Sequence, residues 1–225
     1  MALASTIGER VAMLRARVDC VAEAAGRSAG SVAILGVTKM QPRDAVLAAL
    51  EAGLSDIGEN YLQEAREKYV GLPPVTRHFI GHLQTNKAKA VVGLFDVVQS
   101  VDRLEAGLAI EKAARALGRR VRVLVQVNVS PAERFGIAPA GAAHLAEQLR
   151  SEGLTVDGVM AIGPLEGDVD HAFATAREAF AAVGGTTLSL GMSADWERAV
   201  ALGSTMIRIG TAIFGARPVQ ERVTV

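Results

Sequence analysis

The sequence predicts an α/β fold: a (β/α)8 TIM barrel with one extra helix at its N-terminal end. Three observations carry this expectation. Eight short runs rich in Val, Ile and Leu recur at 32–38, 54–58, 77–81, 95–100, 121–129, 155–162, 186–191 and 205–210. Segments of helical periodicity separate them, and strict alternation of strand and helix implies a parallel sheet buried on both faces. The length, 225 residues, suits a barrel of about 250 residues if its loops are short. An open doubly wound sheet is the structural alternative.

The elements follow in order. "MALASTIGERVAMLRARVDCVAEAAG" carries charges throughout and reads as an amphipathic helix, neither a signal nor a membrane span. After the first run, "PRDAVLAALEAG" opens with Pro42 near its first turn and closes on Gly53. The next helix starts after Asn60, a candidate cap, and ends on Gly71. "QTNKAKAVVG" follows the third run. Asp102 is the candidate cap of a helix that ends on Gly118. "APAGAAHLAEQLRSEG" and "DVDHAFATAREAFAAVG" follow, and the last inter-strand helix runs from Ser193 or Asp195 to Gly203. No linker or low-complexity tract divides the chain, so residues 1–225 are expected to form one domain.

Composition excludes several classes of function. Lys+Arg and Asp+Glu both number 24, so no global field favours nucleic acid or anionic lipid. Cys20 is the only cysteine, which rules out a disulfide within the chain and a Cys-based zinc site; it reads as a buried helical filler. His78 and His82 are four apart, but "RHFIGH" is strand followed by loop, so the helical metal spacing does not apply. No metal, membrane or nucleic-acid partner is expected, and a cytoplasmic location and a monomer are the default.

Barrel sites are built at the C-terminal ends of strands. Those ends carry Lys39; Glu59 and Asn60; His82, Gln84 and Asn86; Ser100 and Asp102; Asn128; Met160; Ser193; and Arg208, Gly210 and Thr211. A phosphate in such barrels often lies between the loops after strands 7 and 8, where free amides favour an anion and Gly210 admits close approach of the backbone. Taken singly, Gly191, Gly210 and Gly215 read as turns and Ser193 as a cap in preference to an anion site. Closure changes that reading. Strand 8 must pair with strand 1, which brings Lys39 beside the anion loops. Lys39 is then a phosphate-binding cation or a Schiff-base lysine whose burial favours the neutral amine. A cofactor carrying both an aldehyde and a phosphate, pyridoxal 5'-phosphate (PLP), satisfies both features.

The segments "LGVTKMQP", "IGENYLQEAREK", "HFIGHLQTNK", "QSVDR", "VQVNVS", "GVMAI" and "LSLGMSADWERAVALGSTMIRIGTAIFGAR" closely resemble those of the pyridoxal phosphate homeostasis family, PLP-binding proteins related to the N-terminal barrel of alanine racemase. The resemblance implies a fold-type III PLP site. Lys39 would hold PLP as a Schiff base. Ser193, with the amides of Gly210 and Thr211, would hold the phosphate. Arg208 would face the pyridine nitrogen and Asn60 the ring or its hydroxyl, with Met192 and Ile209 packing nearby. A permanent cation at the ring nitrogen keeps that nitrogen unprotonated and makes the ring a poorer electron sink. The plainer alternative for Arg208 is an ion pair at the barrel rim. The chain departs from the family pattern at Arg77, Arg134, "AIGPLEG" and a shorter stretch between Asp170 and Thr187, none of them a proposed PLP contact.

The resemblance implies PLP buffering or delivery to PLP-dependent apoenzymes, without strong catalysis. The alternatives are a PLP-dependent amino-acid racemase and a cofactor-free Schiff-base aldolase. A racemase needs a base on each face of the substrate carbon. The chain carries only Tyr61 and Tyr69 as tyrosines, and no second domain is expected after strand 8 to supply another.

Overall fold

A computed structural model of the chain describes residues 6–130 and 134–215. Ala216 and Arg217 of the last family segment, and Ala132 and Glu133 of the loop after the fifth strand, lie outside the described residues. The eight strands are β1 (Ala33–Val37), β2 (Asp56–Glu59), β3 (Thr76–Phe79), β4 (Val97–Val101), β5 (Arg122–Val127), β6 (Thr155–Ala161), β7 (Thr187–Ser189) and β8 (Met206–Ile209). They pair in sequence order, all parallel, and β8 closes on β1. The open doubly wound sheet is thereby excluded. The helices are α1 (Ile7–Ala24), α2 (Arg43–Glu51), α3 (Leu62–Lys68), α4 (Ala88–Leu94), α5 (Leu104–Leu117), α6 (Ala142–Ser151), α7 (Val169–Val183), α8 (Trp196–Ala201) and α9 (Thr211–Phe214).

α1 is the expected extra helix. Thr6 and Glu9 form a capping box at its start, which satisfies two otherwise orphaned amides. Arg15 donates to Val32 O and Arg10 to Ile213 O, so α1 spans the β1–β8 seam from outside. Cys20 is exposed on this helix, contrary to the expected buried filler, because the inward stripe is Val11, Leu14, Val18 and Ala22. Among the described residues, no helix is long and apolar enough to cross a membrane.

Strand alternation sorts the side chains into two layers. Ile34, Ile57, Phe79, Val98, Val123, Val125, Leu188, Ile207 and Ile209 pack outward into the core shared with the helices. Leu35, Leu124, Met160 and Met206 fill the interior beside the polar Asp56, His78, Gln99, Ser189 and Arg208. Gly158 marks the tightest crossing. Its φ of +146° is open to few other residues, and a Cβ there would lie 1.9 Å from Thr187 O.

The outward layer also carries a buried polar knot that braces the end of β1. Lys68 Nζ donates to Thr38 O at 2.7 Å, Glu59 Oε2 at 2.7 Å and Glu64 Oε2 at 2.8 Å. Thr38 Oγ1 lies 3.1 Å from Glu59 Oε2 and 2.9 Å from Tyr69 Oη. Glu59 Oε1 accepts from Asn60 N and Tyr61 N. Glu59 is fully buried, so its charge is tolerable only with these partners. Burial pushes the Tyr69 phenol well above its ordinary range, against the opposing Thr38 hydrogen bond. Desolvation raises the Glu64 carboxyl, but the Lys68 hydrogen bond, the Met40 amide and the charges of Lys68 and Lys39 together hold it below its usual value.

Two stability measurements follow from these contacts. Gly158→Ala is expected to cost about 2–3 kcal/mol, read from the urea midpoint, because backbone must shift to admit the methyl group. Lys68→Met is expected to cost about 3–5 kcal/mol by leaving Glu59 charged and unpaired. The double variant Glu59→Gln/Lys68→Met is expected to lose less than Lys68→Met alone; an equal or larger loss would show that charge burial is not the cause.

Candidate functional site

β1 ends at Val37, and the chain then turns. Gln41 N donates to Thr38 O at 3.0 Å, and Met40 takes a left-handed φ of +59°. Met40 N is held by Glu64 Oε2 at 2.8 Å. Lys39 occupies the corner of this turn. Thr38 faces the helix layer, so Lys39 falls on the interior side of the rim. It is half-buried rather than enclosed, because it lies beyond the last ladder pair of β1.

β8 supplies the neighbouring chemistry. Leu35 pairs with Arg208 and Gly36 with Ile209 in the seam. A Cβ on Gly210 would lie 3.5 Å from Val37 O, so the start of α9 lies against the β1 end that carries Lys39. Arg208 points into the barrel and is 4% exposed. Its Nη1 donates to Ser189 O at 2.8 Å and to Ser189 Oγ at 2.7 Å, and its Nη2 donates to Ala161 O at 2.8 Å. All three acceptors are neutral, and among the described residues no carboxylate forms an ion pair with it. The rim ion pair is therefore not what this arginine makes. Burial pushes its guanidinium down to about 10, opposed by the charge of Asp195, so it remains a cation at neutral pH.

The anion loops lie beside it. Arg208 N donates to Gly191 O at 3.0 Å, which ties β8 to the turn after β7. Gly191 has φ +90°, and a Cβ there would meet Ala199 Cβ at 2.7 Å, so this turn requires glycine. Asp195 rather than Ser193 is the residue that precedes α8, and its Oδ1 accepts from Met192 N at 2.6 Å. Ser193 is left exposed. The amides of Ser193, Ala194, Thr211 and Ala212 meet no acceptor among the described residues. Met192 is half-buried, whereas the Ile209 side chain lies in the helix-facing core, so only its backbone borders this rim.

Asn60 follows β2 and does not cap α3, which begins after Tyr61 with no side-chain cap. Its Oδ1 is buried without a partner, as is Ser100 Oγ at the end of β4. A cavity of about 1180 Å³ opens beside Asn60, lined among others by Tyr61, His82, Gln84, Gln126 and Phe135. His82 stacks on Phe135 with ring centroids 3.8 Å apart. Lys39, Arg208 and Ser193 do not line this cavity, so it adjoins the Lys39 rim without containing it. No cluster of His, Cys, Asp and Glu able to hold a metal occurs among the described residues.

The residues that sequence reading missed are Gln99 and Ser189, which contact each other and link to Arg208, and Lys68, which braces Thr38. A polar side chain at an inward position of an otherwise apolar strand, as in "VVQS" and "LSLG", was the available signal. The fit to PLP is good on this geometry. A half-buried amine, amides on two adjoining loops that meet no acceptor among the described residues, a buried cation in no ion pair among them, and an unpartnered Asn60 Oδ1 match an aldehyde, a phosphate, a pyridine nitrogen and a ring hydroxyl.

Comparison with known proteins gives consistent matches. Residues 11–218 match the family model described as alanine racemase, N-terminal domain. The pyridoxal phosphate homeostasis protein of Pseudomonas aeruginosa is 43% identical over 95% of this chain and 96% of its own length. The protein of that name from Escherichia coli K12 is 37% identical over 96% and 99%. The structure of PipY from Synechococcus elongatus PCC7942 with PLP bound superposes with a TM-score of 0.81 at 35% identity, over 93% of this chain and all of that one. An alanine racemase of Clostridium difficile shares the fold at 16% identity and a TM-score of 0.68, with 57% of its chain covered. With a curated relative 43% identical along almost all of both chains, this chain belongs to the pyridoxal phosphate homeostasis protein family.

Proposed function

We propose that this chain binds PLP as a Schiff base on Lys39 and maintains the intracellular PLP pool by buffering or delivery. The observation that carries the reading is the β1–β8 seam, where Lys39 lies against loops whose amides meet no acceptor, and beside an arginine in no ion pair, among the described residues. The PLP-bound structure of the PipY relative supports it. Bound here, PLP supplies an aldehyde that condenses reversibly with an amine. The residues of the chain do the rest. Lys39 offers the amine, and Ser193 with the amides of Gly210 and Thr211 takes the phosphate. Arg208 faces the pyridine nitrogen, Asn60 reaches the ring or its hydroxyl, and Met192 and the Ile209 backbone border the group. Residues 1–225 act as one barrel domain, monomeric and cytoplasmic, and PLP-dependent apoenzymes are the recipients.

The racemase reading is the weaker one. Tyr69 is 1% exposed and hydrogen-bonded to Thr38 on the outer side of the barrel, away from Lys39. Tyr61 is 59% exposed in the wall of the neighbouring cavity. Neither is held opposite Lys39 as a second base.

Purified protein incubated with PLP is expected to show a visible absorbance band that borohydride fixes covalently, and Lys39→Ala is expected to abolish it. A colourless wild-type chain sinks the proposal. Arg208→Ala is expected to fold and to lose PLP more readily, with a displaced absorbance band. Ser193→Ala is expected to weaken PLP about two- to tenfold, one hydrogen bond among several. D-alanine formed from L-alanine, and lost in Lys39→Ala, would promote the racemase reading instead.

A further inference from the structure

Behind Arg208, the interior of the barrel holds a file of polar side chains that none of the roles above uses. It begins at Arg208 and crosses β7, β4 and β3 to reach β2. Arg208 Nη1 donates to Ser189 Oγ at 2.7 Å, and Ser189 Oγ donates to Gln99 Oε1 at 2.8 Å. Gln99 Nε2 lies 2.9 Å from His78 Nδ1, and His78 Nε2 lies 3.0 Å from Asp56 Oδ1. The directions are set by chemistry. A guanidinium only donates, so the Ser189 hydroxyl must turn its own proton to Gln99. The Gln99 amide then presents its NH2 to His78, with Met206 Sδ 3.3 Å away as a second contact. His78 therefore accepts at Nδ1 and carries its proton on Nε2, facing the carboxylate. Every group donates to the next, from a cation to an anion.

Ser189, Gln99 and His78 are 0%, 0% and 3% exposed. Four buried polar side chains and the half-buried Asp56 in an apolar barrel are costly unless each is satisfied, and here each link satisfies its neighbour. Desolvation raises the Asp56 carboxyl, yet the His78 and Ser55 hydrogen bonds and the charge of Arg122 hold it below its ordinary value, as an anion terminating such a file should be. Asp56 lies four hydrogen bonds away from Arg208 and does not touch it. The guanidinium stays unneutralised at its cofactor-facing end while its rotation is fixed from below.

We propose that Ser189, Gln99 and His78 are positioning residues that orient the Arg208 guanidinium toward the ring of the bound cofactor. The proposal rests on the reading that Arg208 faces the pyridine nitrogen. It is tested with PLP itself, using Ser189→Ala, Ser189→Thr and Gln99→Met beside the wild-type chain. All three variants retain Lys39, so all should keep a borohydride-reducible band. Ser189→Ala and Gln99→Met are expected to raise the PLP dissociation constant about three- to tenfold and to displace the absorbance maximum. Ser189→Thr, which restores the hydroxyl, is expected to return both toward the wild-type values. A purely structural role would lower thermal stability without moving the band. Wild-type spectra and affinities in Ser189→Ala and Gln99→Met overturn the proposal, as does a Ser189→Thr variant no closer to wild type than Ser189→Ala. A measurement on the wild-type chain guards against misfolded variants: the ring ¹⁵N resonances of His78 should shift when PLP binds, and unshifted resonances also overturn the file. Failure of the wild-type chain to take up PLP overturns the functional reading beneath it, a result visible before any variant is made.

Discussion

The pairing of β8 with β1 is the contact on which the candidate site depends. Without it, "VTKM" and "RIGT" are ends of strands at opposite extremes of the sheet. With it, Leu35 faces Arg208 and Gly36 faces Ile209, and all eight parallel strands deliver their C-terminal ends to one rim. Closing so long a loop carries an entropic cost, offset by hydrophobic burial in the shell between barrel and helices. α1 reinforces the seam from outside, since Arg10 and Arg15 tie it to chain segments on the two sides of the closure.

The protein handles buried cations in two contrasting ways. Outside the barrel, Lys68 is neutralised by direct contact with Glu59 and Glu64 and donates a third bond to Thr38 O. This arrangement is rigid and leaves the ammonium no capacity for a ligand. Inside, Arg208 is dissolved in neutral oxygens and meets its anion only through intermediaries. Desolvation alone would favour direct pairing there too. The role proposed for Arg208, presenting charge to a bound molecule, would be cancelled by an adjacent carboxylate, and the two designs differ in that respect.

Most of the architecture was legible because its signal is local. Eight apolar runs with helical segments between them need no tertiary information, and their order matches the barrel. Lys39 and the Arg208–Thr211 stretch were legible because strand ends of a parallel barrel share one face. What escaped depends on which side chain meets which across elements. Asp102 looked like the cap of α5, but Arg103 precedes that helix and turns to Asp102 Oδ1 and Leu83 O. Ser193 and Asp195 are both candidates for the start of α8 in the sequence; Asp195 precedes it, and its carboxylate folds back onto Met192 N. Cys20 looked like core, yet the stripe that meets the barrel runs along another face of α1. The Gln99–Ser189 link joins strands that are neither consecutive nor hydrogen-bonded neighbours, so no spacing along the chain could disclose it.

The left-handed Met40 bears on what the lysine is free to do. A non-glycine residue with φ +59° costs about 1–2 kcal/mol, and here the Glu64 carboxylate holds the Met40 amide in that position. Glu64 in turn is clamped by Lys68. The backbone under Lys39 is thus held in place by α3, from the helix-facing side of the strand. Under the proposed role of Lys39, ligand capture would draw only on side-chain freedom, since the main chain is already bent into place in the folded barrel. The order that the proposed binding requires is then a property of the empty barrel, and a cargo could be exchanged without remodelling its container.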